Sequence, residues 1–180
     1  MKTLYKDDYR KSQKTRTLIE CAIMLALATV LSLVQVYKLP TGGSITACSC
    51  VPLMLIAYKH GTGYGVFTAF NYSIIQLLLG LGNLSYCRSS KAALACVVLD
   101  YVLAYTVLGF CRELSKKPIR GVTEAMAIRF VCHLLSGVYV WSEYWDSWAS
   151  WSYSIVYNGS YMLVETIITV IATKLILDRI

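Results

Sequence analysis

The sequence predicts an all-α integral membrane protein, a six-transmembrane-helix bundle with N- and C-termini cytoplasmic. Three observations carry this expectation. Only 15% of the 180 residues are charged and 57% are apolar, whereas soluble domains carry about a quarter charged residues. The apolar residues fall into long runs separated by short polar turns. Most basic residues sit at the chain ends and in alternate loops, the pattern that orients membrane helices.

The elements follow in order. Residues 1–16 read as a basic cytoplasmic N-terminal tail, and 17–180 as one membrane substrate-binding domain. The tail leads into a full-length span without a small-residue cleavage site, so no cleavable signal is expected. Spans need about 20 mostly apolar residues. Candidates lie at 17–37, 45–58, 63–81, 92–111, 122–141 and 151–177. The second is short and contains Pro52, so a kink or break is expected there. Pro40, Gly42 and Gly43 mark the first turn, and Pro118 and Gly121 the fourth. Trp145 and Trp148, with Glu143 and Asp146, read as an outer aromatic belt with an acidic rim.

With the N-terminus inside, thirteen of the seventeen basic residues are cytoplasmic. Lys38, Arg88 and Lys91 fall outside, and Arg129 lies within the membrane. The net charge of +7 is thus accounted for by topology and by contact with membrane lipid. No interleaved basic–aromatic pattern points to nucleic acid. The seven cysteines (Cys21, Cys48, Cys50, Cys87, Cys96, Cys111 and Cys132) have neither metal-site spacing nor a disulfide pattern.

Four ionisable residues lie well inside the spans, away from their ends: Asp100, Arg129, His133 and Glu165. Each costs about 2.5–3.5 kcal/mol at the bilayer centre on insertion scales, so such groups face the bundle interior. At about 1.5 Å per residue, Asp100, His133 and Asn158 reach one level, about 10–12 Å below the outer helix ends. Arg129, His133, Gly137 and Trp141 recur at four-residue steps and share a helix face. Tyr101 follows Asp100, and Tyr153 and Ser154 precede Asn158. Aromatic planes, a carboxylate and an amide suit a flat, nitrogen-rich cation. Competing readings pair Arg129 with Glu165, make His133 a satisfied core histidine, and make Trp141 and Tyr153 interface anchors. Ala22, Ala26 and Ala28 are small residues at about one-turn spacing, for which ordinary internal packing is the leading physical reading.

ECAIMLALA, GSITACSCVPLMLIAYKHG, LDYVLAYTVLGF, IRFVCHLLSGVYVW and YNGSY, in this order, resemble the thiamine-specific S-component of energy-coupling factor transporters. The resemblance runs from about residue 17 to the C-terminus. It implies high-affinity capture of thiamine from outside and delivery through an ATP-driven module of one T-component and two ABC-type ATPases. No cofactor is implied on this chain; ATP is used by the partner ATPases. The family's ligand residues match Asp100, Tyr101, Arg129, His133, Gly137, Trp141, Tyr153, Ser154 and Asn158, and its T-component docking motif falls on Ala22 and Ala26. Two departures stand out. Asp100 replaces the family's glutamate, and the first loop lacks a lid tryptophan, leaving Tyr37 as the nearest aromatic. The alternatives are an S-component for another vitamin or a thiamine precursor, and a proton- or ion-coupled transporter relaying through Asp100, Arg129, His133 and Glu165. With no recognisable nucleophile or metal cluster, an enzyme is not expected.

Overall fold

The computed structural model describes residues 2–39, 42–144 and 146–179, with side chains from residue 11 onward. Pro40 and Trp145, placed above in a turn and an aromatic belt, lie outside the described residues. Helix α1 (Lys2–Leu33) leads into an antiparallel hairpin, β1 (Gln35–Lys38) and β2 (Ser44–Thr46). Then come α2 (Val51–His60), α3 (Thr62–Leu79) and a 3-10 segment (Leu81–Tyr86). The last three helices are α4 (Ser90–Leu114), α5 (Pro118–Trp141) and α6 (Ser147–Leu177). Among the described residues, α4, α5, α6 and the stretch Lys11–Leu33 of α1 are long and apolar enough to cross a membrane.

The first two expected spans are corrected. Helix α1 ends at Leu33 rather than continuing to Tyr37, and residues 44–46 form a strand rather than the start of a helix. Val34, Val36 and Tyr37 are β-branched or aromatic and favour extended backbone. Gly42 then reverses the chain at φ +106°, a conformation open to glycine. Pro52 does not kink α2; it sits in the first turn, where its missing N–H is no loss. At ten residues, α2 is about 15 Å long, about half a bilayer core. It is buried along Val51–Pro52–Leu53–Met54–Leu55–Ile56–Ala57, as expected of a helix that is apolar all round.

The core gathers around α2. Leu53 and Met54 pack with Tyr72 of α3, Leu108 of α4, Met126 of α5 and Met162 of α6. The Tyr58 hydroxyl donates to the Cys111 and Ser115 carbonyls at 3.2 and 3.0 Å, tying α2 to the end of α4. Glu20 of α1 accepts from Lys59 Nζ at 2.7 Å and lies 2.8 Å from His60 Nε2. Helix α1 is peripheral, burying only Cys21, Ala28 and Ser32 among its described side chains. Ala28 is therefore ordinary packing, but Ala22 and Ala26 are exposed on the outer face with Ile19, Ile23 and Leu27.

Two glycines set how closely helices approach. A Cβ on Gly109 would lie 2.4 Å from the Val66 amide nitrogen, and one on Gly65 would lie 2.8 Å from the Gly109 carbonyl oxygen. Backbone meets backbone here, and neither side can yield cheaply. Gly159 of α6, by contrast, has nothing within 4 Å of a built Cβ. Overpacking costs about 1–3 kcal/mol, so Gly109→Val is expected to lower the melting temperature of the detergent-solubilised protein measurably. Gly159→Ala is expected to leave it unchanged or slightly higher. Equal behaviour of the two variants in a thermal scan would contradict this packing.

Candidate functional site

Between the hairpin and helices α3–α6 lies a cavity of about 440 Å³, within the size range of small-molecule sites. Its chemistry begins in α4, where residues Val97–Leu103 wind as a π-helix. The Ala104 N–H donates five residues back to the Leu99 carbonyl. Such turns shift the helix register locally and recur at functional sites. Cys96, Asp100, Tyr101 and Tyr105 all line the cavity.

Asp100 is held from two helices. Its Oδ1 lies 2.7 Å from His133 Nδ1, and its Oδ2 accepts from Ser136 Oγ at 2.5 Å and Cys96 Sγ at 3.4 Å. The other imidazole nitrogen, His133 Nε2, accepts from Arg129 Nε at 3.3 Å. A guanidinium can only donate, so in a neutral imidazole this contact assigns the lone pair to Nε2 and the proton to Nδ1, facing Asp100. Arg129 is 6% exposed. Its Nη1 donates to Cys50 Sγ at 2.8 Å, and its guanidinium carbon lies 4.5 Å from the centre of the Tyr105 ring.

Arg129 and Glu165 do not pair. Glu165, 3% exposed, accepts instead from the Thr46 amide at 2.9 Å and the Thr46 hydroxyl at 2.7 Å. That hydroxyl lies 2.8 Å from Ser49 Oγ. A carboxylate on α6 thus anchors the base of the hairpin. One turn earlier on the same helix, Tyr161 meets Gly43, where a Cβ would approach the ring to 2.7 Å. One turn before that, the Tyr157 hydroxyl accepts from the Gly43 amide at 3.0 Å. Tyr153, Tyr157 and Tyr161 recur at four-residue spacing, which puts them on one face. The first two stack at 5.3 Å and 17°, and Trp141 meets Tyr153 edge-on at 5.2 Å.

Nine of the ten sequence-derived ligand residues line this cavity: Asp100, Tyr101, Arg129, His133, Gly137, Trp141, Tyr153, Ser154 and Asn158. Tyr37 does not; its side chain is 59% exposed on β1. Three of the nine are also tied up in structure. The Tyr101 hydroxyl donates to the Gly80 carbonyl and accepts from Asn83 Nδ2, both at 3.0 Å. Ser154 Oγ donates to the Leu134 carbonyl at 2.7 Å, and Asn158 Nδ2 donates to the His133 carbonyl at 3.3 Å. A Cβ on Gly137 would fall 2.3 Å from Ser154 Oγ, so this glycine brings α5 and α6 together. Ser136, Cys50, Tyr157 and Tyr161 were not singled out from sequence. The four-residue step Tyr153–Tyr157–Tyr161 was a usable signal. Cys50 carried none, because its contact with Arg129 depends on where α2 begins.

Residues 18–179 match the family described as thiamine transporter protein (Thia_YuaJ). The thiamine transporter ThiT of Bacillus subtilis (strain 168) is 28% identical, covering 92% of this chain and 92% of its own length. The thiamine transporter ThiT of Lacticaseibacillus paracasei is 22% identical over 89% of this chain and 86% of its own. The solved structure of ThiT from Listeria monocytogenes superposes with a TM-score of 0.72 at 23% identity, covering 93% of this chain and 96% of that one, which establishes a shared fold. The chain belongs to the thiamine transporter protein family, whose members are multi-pass cell-membrane transporters and not enzymes.

Proposed function

We propose that this chain is a high-affinity thiamine-binding S-component, taking thiamine from outside the cell and delivering it through an energy-coupling factor module. The charge balance of the cavity carries this reading. Two carboxylates, Asp100 and Glu165, face one buried guanidinium, Arg129, and Lys38 stands at the exposed rim. With His133 neutral, as its contact with Arg129 requires, the interior holds one more negative than positive group, and burial makes an uncompensated charge costly. Thiamine is a flat aminopyrimidine joined to a thiazolium cation. Its cation offsets the excess, and its rings match the wall formed by Trp141, Tyr153, Tyr157 and Tyr161. Asp100 offers the remaining lone pairs of its carboxylate to the exocyclic amine.

In this reading all six helices are membrane-embedded, α2 shielded by its neighbours, with both termini cytoplasmic and the hairpin end outside. The distribution of lysine and arginine supports that orientation. Residues 1–16 form the cytoplasmic tail, and 17–180 the binding domain. Asp100, His133, Trp141 and Tyr153 contact the ligand, while Tyr101, Gly137, Ser154 and Asn158 shape its walls. The module supplies a T-component and two ABC-type ATPases, which consume ATP. The exposure of Ala22 and Ala26 supports the outer face of α1 as the docking surface, since small side chains let another helix approach closely.

Titration calorimetry of the detergent-purified protein is expected to show saturable, one-to-one thiamine binding below micromolar concentrations. Heat indistinguishable from dilution at micromolar ligand would overturn the assignment. Asp100→Asn and His133→Ala are each expected to weaken binding by well over tenfold, about 1.4 kcal/mol or more; unchanged affinity in both would move the ligand elsewhere. Ala22→Trp combined with Ala26→Trp is expected to abolish co-purification with the T-component while leaving thiamine binding intact. Retained co-purification would remove α1 from the interface.

A further inference from the structure

We propose that Arg129 is a positioning residue that acts through His133, keeping Nε2 free of a proton so that the imidazole donates to Asp100 from Nδ1 as a neutral group and leaves the carboxylate's charge to the ligand. The role of this proton in binding rests on the thiamine-binding reading; the tautomer itself does not.

Among the described residues, buried Arg129 has no carboxylate partner, and Glu165, the candidate from the sequence, is engaged by Thr46. The guanidinium is held by three contacts on three elements. They are the Cys50 thiol at the start of α2, the Tyr105 ring on α4, and the Nε2 atom of His133 one turn away on α5. Only the third leads to the carboxylate of the site. Because Arg129 Nε is a donor and never an acceptor, its bond to Nε2 leaves a single tautomer for the imidazole. That tautomer gives Asp100 Oδ1 a hydrogen bond with nitrogen and oxygen 2.7 Å apart. The opposite tautomer would put a proton on Nε2 against the Arg129 N–H and present a lone pair to the carboxylate, two repulsive contacts at once.

The other groups around this chain keep the same polarity. Ser136 and Cys96 donate to Asp100 Oδ2. Tyr161 approaches the imidazole ring edge-on at 6.4 Å, and the Tyr161 hydroxyl donates away from it, to Asn158 Oδ1 at 3.0 Å. Among the described residues, every donor on the Asp100 carboxylate therefore comes from α4 or α5. The carboxylate is fixed from behind, and Arg129 sets the direction of the chain without having to touch the ligand. The same arrangement explains why an arginine suits this position. Its planar group can stack on Tyr105 while Nε and Nη1 point to different partners, which a lysine ammonium does less well.

The tautomer can be read directly in the ligand-free protein. The chain has two histidines, so a 15N-histidine-labelled sample, with His60→Gln for assignment, gives a two-residue spectrum of long-range 15N–1H correlations. His133 is expected to show the Nδ1–H pattern. Arg129→Met is expected to let Nε2 take up a proton while Asp100 keeps the one on Nδ1, giving the doubly protonated pattern, and to weaken thiamine binding by about tenfold or more, because an imidazolium then offsets the Asp100 charge. Arg129→Lys, which keeps a donor, is expected to retain the Nδ1–H pattern and part of the affinity. An Nε2–H or doubly protonated His133 in the unaltered protein would overturn the proposal, even if Arg129→Met does not fold. So would an unchanged Nδ1–H pattern in Arg129→Met alongside lost affinity, which would make Arg129 a direct ligand contact. A changed His133 pattern with full affinity would overturn it as well. Absence of thiamine binding in the unaltered protein, with the Nδ1–H pattern present, would instead sink only the functional assignment.

Discussion

Asp100, His133 and Arg129 form one hydrogen-bonded line through the interior, and most of the surrounding structure keeps that line closed. A buried charge or polar group left without partners is costly, so none of the three can be exposed to the apolar core alone. Their partners come from different places in the chain. Cys96 and Tyr105 lie on α4, Ser136 on α5, and Cys50 at the start of α2. Separating any of these helices would strand a polar group. These polar groups cost stability wherever they are unsatisfied and lend specificity to the one arrangement in which each has its hydrogen-bond partners.

Helix α6 works as the template on which the other side of the cavity is built. One face presents Tyr153, Tyr157, Tyr161 and Glu165 at four-residue steps, supplying an aromatic wall and then a carboxylate. The hairpin is fitted onto this face by Gly43 and Thr46. A neighbouring face carries Ser150, Ser154 and Asn158, all buried, and the last two bond to α5 backbone carbonyls. One face thus shapes the cavity and the other holds α5 in register, which is why side chains such as Ser154 and Asn158 serve packing and lining together.

Much of this was legible in the sequence because membrane burial exaggerates the signal. An aspartate, an arginine and a histidine in apolar runs are few enough to be noticed, and a constant rise per residue is enough to bring Asp100 and His133 to one level. The hairpin was not legible. Val34, Val36 and Tyr37 are apolar and extend the hydropathy of α1, so a count of apolar residues cannot see the change from helix to strand. The partner of Arg129 was also hidden. Depth placed Glu165 nearby, but the strand carrying Thr46 had been read as helix, and so the group that engages Glu165 was out of place. The π-turn at Asp100 leaves no periodicity signal over its seven residues.

The Asp100–His133–Arg129 line, the aromatic face of α6 and the anchored hairpin converge on one cavity in a member of a thiamine transporter family. In the proposed function, its two carboxylates, Asp100 and Glu165, offset the single charge of the ligand as well as Arg129. The most direct test is a crystal structure of the thiamine-soaked protein. The account predicts ligand density inside the cavity, with the aminopyrimidine amine within hydrogen-bond distance of Asp100 and the rings against Tyr153 and Trp141. Thiamine bound elsewhere, with the space between Asp100 and the α6 tyrosines left empty, would contradict it.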